Sequence, residues 1–293
     1  MAYKPIGLAG RVVCDALAEK CETFRRDDER WAVEIKWRQN ERPELRSPPQ
    51  RRRQRPPPLF ATVSGAHLYG FPSPDSDVDL RGAFVLPVRE VLRLREPVET
   101  LTVTRTVGGV EVDWVAHDVR KFARLMTRRN GYVLEQLYSP LVVVGGPWLD
   151  ELRAIGRGCI TRQLYHHYRG FANGQLKLLA QPTATVKELL YAYRVLLTGI
   201  HVLRTGTIEA HLGQLLGCYP VPGVTELMAR KQAGAERGAL AADELPPHLV
   251  QLARLETDLA AACEASALPD APTALDALDD FVVRARLELG DHD

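Results

Sequence analysis

The sequence has little of what marks a membrane protein or a disulfide-bonded protein. Its 293 residues include five cysteines, and none stands in Cys-x-x-Cys spacing, so the sequence indicates neither a zinc site nor a disulfide framework. No apolar run approaches the roughly 20 residues that a membrane-spanning helix needs, and the first residues lack the apolar core of a secretory signal. These absences predict a protein of the cytoplasm that carries reduced thiols and has no membrane partner.

An excess of charge of either sign is also missing. The 38 Lys and Arg residues nearly balance the 37 Asp and Glu residues, so the net charge is +1. This balance argues against a protein that coats nucleic acid with its whole surface, but it allows a local basic patch. A Pro- and Arg-rich stretch at about 43–58 is either such a patch, an arm for RNA or phosphate, or a solvated loop.

The chemistry of the sequence is concentrated in residues 59–86. The apolar run Leu59–Val63 predicts a buried strand, and after a turn rich in Gly, Pro and Ser a second apolar run opens with Asp77-Val78-Asp79. Alternate residues of an extended backbone share a face, so Asp77 and Asp79 project together. Two close carboxylates repel each other unless a cation lies between them, and hard oxygen ligands favour Mg²⁺. An acidic turn before an edge strand is the alternative interpretation.

This pattern resembles the signature of the polymerase-beta-like nucleotidyltransferases. The residues that carry the resemblance are SGAHLYG at 64–70 and PDSDVDLRG at 74–82, which are similar to one bacterial branch of that superfamily. In this superfamily a Gly-Ser turn holds the triphosphate of a nucleotide, and an Asp-x-Asp strand holds two metal ions. The resemblance therefore implies that Asp77 and Asp79 bind Mg²⁺ or Mn²⁺, and it implies a nucleotide-binding role for Ser64, Gly65, Ala66 and Ser76.

Ala66 departs from the family pattern, which usually has serine at this position. The serine hydroxyl would donate a hydrogen bond to a phosphate oxygen, whereas alanine offers only its backbone N–H. Loss of such a charge-assisted hydrogen bond costs about 1.5–3 kcal/mol. We therefore expect weaker nucleotide binding with activity retained, and Ser64 is a candidate to replace the missing hydroxyl.

A predicted hairpin offers a third acid. The runs at 98–107 and 110–115 are typical of two strands joined by a Gly-Gly turn, and Glu111 and Asp113 share one face of the second strand. The resemblance places the third catalytic carboxylate, which is also the third metal ligand beside Asp77 and Asp79, at Asp113. Glu111 is the second candidate. A solvated strand residue is the alternative interpretation of Glu111.

After residue 146 the pattern is helical, with prolines between the helices. We therefore predict an α/β (α+β) fold with a mixed-sheet nucleotidyltransferase domain at 1–146. An all-helical domain at 147–293, which binds substrate or nucleotide, is expected to follow it.

One predicted helix of the C-terminal half carries a cationic face. Lys187, Tyr191 and Arg194 lie at positions i, i+4 and i+7, so they share one side of the helix. This side is either solvated or, because Lys and Arg recur on this helix in the family, a contact for triphosphate and base. Lys177 on the preceding helix is a further candidate for nucleotide binding.

The resemblance implies a Mg²⁺- or Mn²⁺-dependent transferase. Such an enzyme moves a nucleoside monophosphate from a nucleoside triphosphate, such as ATP, to an acceptor hydroxyl and releases pyrophosphate. RNA is the expected acceptor, with a 3′ end as one candidate hydroxyl. The alternatives are a nucleotide-binding regulatory or interaction module with little or no turnover, and a transferase that acts on a protein or a small molecule.

Overall fold

The computed structural model describes residues 56–107, 109–234, 239–241 and 243–290. It also describes the backbone of a short antiparallel hairpin formed by β1 (Phe24–Asp27) and β2 (Arg30–Val33). Most of the predicted Pro- and Arg-rich arm, up to residue 55, lies outside the described residues.

A five-stranded mixed sheet forms the N-terminal half of the described fold. Its spatial order is β5-β6-β4-β3-β7. The parallel pair is β4 and β6, while the other neighbouring strands pair antiparallel. The strands are β3 (Pro58–Val63), β4 (Val78–Phe84), β5 (Thr100–Val107), β6 (Val110–Asp118) and β7 (Val142–Val144). Because β4 and β6 are parallel and in register, both strands begin at the same edge of the sheet.

Four helices lie between these strands, and the described residues after β7 form helices joined by loops. The prediction of a mixed sheet followed by helices is therefore confirmed. The first four are α1 (Gly65–Tyr69), α2 (Val88–Val91), α3 (Val119–Met126) and α4 (Gly131–Tyr138). The later ones are α5 (Pro147–Gly156), α6 (Leu164–Leu179), α7 (Val186–Thr205), α8 (Leu212–Cys218), α9 (Val224–Ala233), α10 (Leu245–Glu264) and α11 (Leu275–Leu289).

Helix α7 lies at the centre of the helical half. It begins at a capping box, in which Thr185 and Glu188 satisfy each other's backbone N–H groups. Most of its side chains are buried, as expected for a helix that is apolar around most of its circumference. The hydrophobic core extends from Phe60 on β3 through α7 to Phe281 on α11. Since the core is continuous across residue 146, the division into two domains there stays a prediction.

The opposite face of the sheet carries a small apolar cluster. Val63, Val78 and Leu80 are buried there against Val112 and Trp114. This cluster fixes which side of β4 and β6 is left for the acidic residues. Within the described part of the chain, no helix combines the length and the apolar character needed to cross a bilayer.

Candidate active site

Four carboxylates lie at the edge of the sheet where β4 and β6 begin. Asp79 of β4 stands beside Asp113 of β6 in the parallel register. Glu111 lies two positions before Asp113 on β6, and Asp77 lies two positions before Asp79, directly before β4 begins, so the alternation of an extended backbone favours all four on one face. The parallel pairing of two strands thus gathers acids that are more than 30 residues apart in sequence, 34 between Asp79 and Asp113.

Three of the four acids converge closely enough to share a cation. One carboxylate oxygen from each of Asp77, Glu111 and Asp113 lies within 4.8 Å of the other two. Asp77 and Glu111 are exposed and Asp113 is half-buried, so the cluster is open to ligands from solvent. Oxygens at this spacing suit a hard divalent cation, which would also relieve their mutual repulsion. Glu111, second to Asp113 in the sequence analysis, therefore lies in the same cluster as Asp113.

Asp79 is held by an internal cation. Its Oδ1 accepts a hydrogen bond from Arg81 Nη2 at 2.5 Å. The same guanidinium donates from Nε to the Tyr132 hydroxyl at 3.0 Å and from Nη1 to the backbone oxygen of Asp113 at 2.8 Å. Burial disfavours the charge of Arg81, but Tyr132 and Asp79 outweigh that effect and raise the pKa of Arg81. Arg81 thus neutralises Asp79 and ties β4 to β6 at the site.

Asp113 is oriented by the neighbouring strand. Thr104, its register partner on β5, donates from Oγ1 to Asp113 Oδ1 at 2.5 Å. Among the described residues, Oδ2 of Asp113 has no hydrogen-bond partner. One oxygen of Asp113 is therefore fixed by the sheet, and the other is available to a ligand.

The predicted glycine turn forms the one-turn helix α1, whose start faces Asp79. Gly65 has a φ of +62°, and a Cβ at this residue would stand 1.9 Å from Asp79 Oδ2. The backbone N–H of Ser64 donates to the Asp79 carbonyl at 2.8 Å. Ser64 Oγ is buried without a hydrogen-bond partner. An unsatisfied buried hydroxyl is costly, so its position next to Gly65 and Asp79 fits the hydroxyl that Ala66 lacks.

Ser76 is part of a buried hydrogen-bonded loop directly before Asp77. Its Oγ accepts from the Ser73 backbone N–H at 2.9 Å and lies 2.9 Å from Ser73 Oγ. Lys231 of α9, itself buried, donates to Ser73 Oγ at 2.8 Å. Gln232 Nε2 donates to the backbone oxygen of Gly70 at 3.0 Å, at the other end of the same loop. Helix α9 therefore fixes the loop that leads into Asp77, a contact that no local sequence pattern indicated.

The predicted cationic face of α7 lies against α1. Tyr191 packs edge-on against Tyr69 and Phe71, with ring centroids 5.5 and 5.6 Å away. Lys187, half-exposed, places Nζ 5.9 Å from the Tyr191 ring centroid. Tyr191 therefore contacts the end of α1, and the role of this face in nucleotide binding stays a prediction. Lys177 is exposed at the end of α6.

Arg194, the third residue of that face, is buried. Its Nη1 donates to Glu135 Oε2 at 2.7 Å, and the side chains are 2% and 1% exposed. Its guanidinium carbon lies 3.9 Å from the ring centroid of Tyr69. Burial disfavours the charge, but Glu135 outweighs it and raises the pKa of Arg194. Arg194 thus joins α7 to α4 and α1. Its predicted contact with nucleotide stays a prediction.

Arg81 and Tyr132 lie around the acids and differ in how far the sequence indicated them. Arg81 shares the face of Asp79, since it follows two positions later on the same strand, so alternation indicates its position. Tyr132 is brought to Arg81 by the packing of α4 on the sheet, and nothing in its local sequence indicated this contact. Glu135 lies on the same helix, and its ion pair with Arg194 of α7 likewise left no local signal.

Comparison with known proteins agrees with this geometry. The Uncharacterized protein MJ0002 of Methanocaldococcus jannaschii is 32% identical to the chain over 167 residues, which cover 55% of the chain and 68% of the relative. A family model matches residues 48–284, a range that includes the glycine turn, all four acids and most of the helical half. The chain therefore belongs to the RlaP family, described as the RNA repair pathway DNA polymerase beta family.

Proposed function

We propose that the protein is a divalent-metal-dependent nucleotidyltransferase that moves a nucleoside monophosphate from a nucleoside triphosphate to an RNA hydroxyl. The observation that carries this proposal is the convergence of Asp77, Glu111 and Asp113 beside Asp79 and Gly65. Membership of a polymerase-beta family supports the reaction class. The same family's description names RNA repair, and this supports RNA as the acceptor.

The acids would hold the metal. Asp77, Glu111 and Asp113 have the oxygen ligands and the spacing that Mg²⁺ or Mn²⁺ requires, and the free Oδ2 of Asp113 is suitably placed. When bound, such an ion supplies charge neutralisation and lowers the pKa of a coordinated hydroxyl. Asp79 would join the ligands by exchanging part of its contact with Arg81. Arg81 then remains as a cation beside the reacting phosphate.

The chain's own residues would position the nucleotide. The start of α1 has no bulky side chains at Gly65 and Ala66, so phosphate can approach the backbone N–H groups there. The hydroxyl of Ser64 is buried beside them and would reach a phosphate oxygen only after a local rearrangement. Ser76 would support nucleotide binding indirectly, because its hydrogen bonds to Ser73 hold the loop that leads into Asp77. Lys187 and Tyr191 lie on the adjacent face of α7.

Two further cationic side chains complete the set of candidate nucleotide-binding residues. Lys177 would contribute from the exposed end of α6. Arg194 would contribute through its hold on Tyr69 in α1, since the guanidinium is already paired with Glu135. Lys187 is therefore a stronger candidate for direct contact with phosphate than Lys177 or Arg194.

The proposed reaction conserves atoms and charge. The acceptor oxygen forms a bond to the α-phosphorus as the bond from that phosphorus to the bridging oxygen breaks, and pyrophosphate leaves. The proton of the acceptor hydroxyl, whose pKa the metal would lower, passes to solvent or to a carboxylate of the acidic cluster such as Asp113. Positioning and charge neutralisation carry most of the rate enhancement in such phosphoryl-group chemistry.

The test is incorporation of nucleotide into RNA. The protein is incubated with each nucleoside triphosphate labelled at the α-phosphate, with Mg²⁺ or Mn²⁺, and with RNA whose 3′ hydroxyl is free or blocked. We expect label on RNA with matching pyrophosphate release, and loss of about 100-fold or more in Asp113→Asn. Asp279→Asn, an exposed acid of α11, is the control and should leave the rate unchanged.

The second candidate function is a nucleotide-binding module without turnover, which the alanine at position 66 favours. This alternative predicts saturable nucleotide binding with no incorporation into RNA, protein or small molecules. Label on protein or on a small molecule instead of RNA would retain the reaction and replace the acceptor.

A further inference from the structure

An open surface cavity of about 950 Å³, lined by both polar and apolar groups, lies where the α3–α4 turn meets the start of α6 and the connection between α10 and α11. Its lining includes Arg128, Arg129 and Asn130 from the turn, with Gln163 and His167 from the helical half. These side chains are hydrogen-bond donors or bear positive charge. The cavity therefore has the composition of an anion-binding surface.

Two arginines of the cavity lining carry positive charge that is available to a ligand. Arg128 and Arg129 are exposed, and neither guanidinium has an ion-pair or hydrogen-bond partner in the part of the chain that the structure describes. The acidic residue of the lining, Asp270, is bound by Arg162, whose Nη2 lies 2.8 Å from Oδ2 and whose Nε contacts Oδ1. The internal pair neutralises Asp270 and leaves two arginines for a ligand.

The neutral donors of the cavity are held by the fold. Asn130 caps α4 by accepting from the Val133 N–H through Oδ1 at 3.3 Å, which turns its amide NH₂ away from the helix. His167 packs against the start of α4, where a Cβ on Gly131 would stand 2.8 Å from its Cδ2. The donors therefore have fixed positions relative to α4.

The same turn of α4 connects the cavity to the acidic site. Asn130 lines the cavity, and Tyr132, two residues later, accepts a hydrogen bond from Arg81 Nε at 3.0 Å. Arg81 in turn holds Asp79. The start of α4 therefore contributes one residue to the cavity and another to the hydrogen bonds around Asp79.

We propose that this cavity binds the phosphodiester backbone of the RNA acceptor upstream of the hydroxyl that receives the nucleotide. This inference rests on the proposed function. Guanidinium groups without internal partners bind phosphate oxygens in bidentate geometry. Contacts of this kind fix the register of a strand without reading its bases, as a repair enzyme that acts on many sequences requires.

The test measures RNA binding separately from catalysis. A short single-stranded RNA with a fluorescent 5′ end is titrated with protein at several salt concentrations, and anisotropy gives the association constant. The double variant Arg128→Ala/Arg129→Ala is compared with Arg95→Ala/Arg254→Ala, which removes the same charge from two exposed arginines outside the cavity. All four arginines are exposed, so the fold is expected to survive in both variants.

We expect the salt dependence of binding to change only in the cavity variant. Each lost contact with a single-strand phosphate lowers the slope of log K against log[salt] by about 0.7, so two lost contacts lower it by about 1.4. In the transfer assay, the KM for RNA should rise in this variant while the KM for the nucleoside triphosphate stays unchanged. The control variant should behave as wild type in both assays.

The outcomes separate this inference from the proposed function. If the cavity variant keeps the wild-type slope of log K against log[salt] and the wild-type KM for RNA, the cavity is not an RNA-binding site and the inference is overturned. A wild-type protein that binds RNA through these arginines but transfers no nucleotide would overturn the proposed function and support the cavity as an RNA site. Equal losses in the two double variants would show an unspecific effect of net charge and would also overturn the inference.

Discussion

Gly65 shows how the geometry of one residue determines the arrangement of the candidate site. Its φ of +62° lies in the left-handed region, and the missing side chain leaves the space that the Asp79 carboxylate occupies. A side chain at this position would compete with Asp79 for that space. The glycine is therefore required twice, for the turn and for the acid.

We predict that Gly65→Ala lowers nucleotide transfer by about 100-fold, because it displaces Asp79. The matched control is Gly109→Ala, whose φ of +82° is equally unfavourable for alanine but whose Cβ would meet no atom within 4 Å. Backbone strain should cost each variant about 1–2 kcal/mol of unfolding free energy, measured by urea titration, and Gly65→Ala should lose more because its Cβ also displaces Asp79. Equal activity in the two variants would contradict this role of Gly65.

The sequence predicted the identity of the acids better than their partners. Alternation was sufficient to place Asp77 with Asp79, and Glu111 with Asp113, on one face of each predicted strand, whereas the parallel pairing of β4 with β6 that brings the two pairs together left no periodic signal. Alternation could not show that Asp79 is held by Arg81 while Glu111 joins the other two acids, because that choice depends on side-chain packing between strands and on Tyr132. Their roles as metal ligands stay predictions.

At the scale of elements, the buried ion pair between Arg194 and Glu135 attaches α7 to α4. Both side chains are almost completely buried, and the Tyr69 ring covers the guanidinium. A buried pair of this kind constrains the relative position of two helices, because either charge alone would be left without a partner. The contact also holds α1 in place, since Tyr69 belongs to that helix.

Removing one member of this pair should be strongly destabilising. Arg194→Met is expected to lower the unfolding free energy by about 3–5 kcal/mol, because it leaves Glu135 charged and buried. The control is Arg230→Met, which breaks an exposed pair with Glu244 and should cost at most about 1 kcal/mol. Chemical denaturation measures both values. Similar costs for the two variants would show that the buried pair does not hold α7.

Most helical elements followed from periodicity, whereas strands β1, β2 and β7 and helix α1 did not. Helix α7, predicted as the helix that carries Lys187 and Arg194, is found at Val186–Thr205, and its long apolar pattern explains why the sequence indicated it. Strand β7 has three residues, too short for a periodic signal, and exists because it pairs with β3. Helix α1 appeared in the sequence as a turn, since five residues rich in glycine and small side chains show no helical stripe.

At the scale of the whole molecule, the helical half stabilises the loops of the acidic site. Lys231 and Gln232 of α9 bind the loop between Gly70 and Ser76 from more than 150 residues away in the sequence, 158 between Lys231 and Ser73. Contacts at such a separation leave no local pattern, so they could be found only in the folded structure. The same contacts make the acidic site dependent on the integrity of the entire fold.

Stability should fall as the pH drops below about 6.5, the ordinary pKa of histidine. Burial lowers the pKa of His117, His167, His201 and His248 in the folded protein. The unfolded chain therefore binds protons first as the pH falls, and the folded state loses free energy relative to it until the folded pKa values are passed. Urea titrations between about pH 8 and pH 5 measure this trend. A stability that rises on acidification over this interval would contradict it.

The central claim is that the acidic edge of the sheet holds the catalytic metal next to the triphosphate. A crystal structure with Mn²⁺ and a non-hydrolysable nucleoside triphosphate analogue, phased by anomalous scattering, tests this claim directly. We predict an anomalous peak about 2.0–2.3 Å from oxygens of Asp77, Glu111 and Asp113, with the triphosphate against Gly65 and Ala66. No manganese at these carboxylates, or a triphosphate bound elsewhere on the protein, would contradict the account.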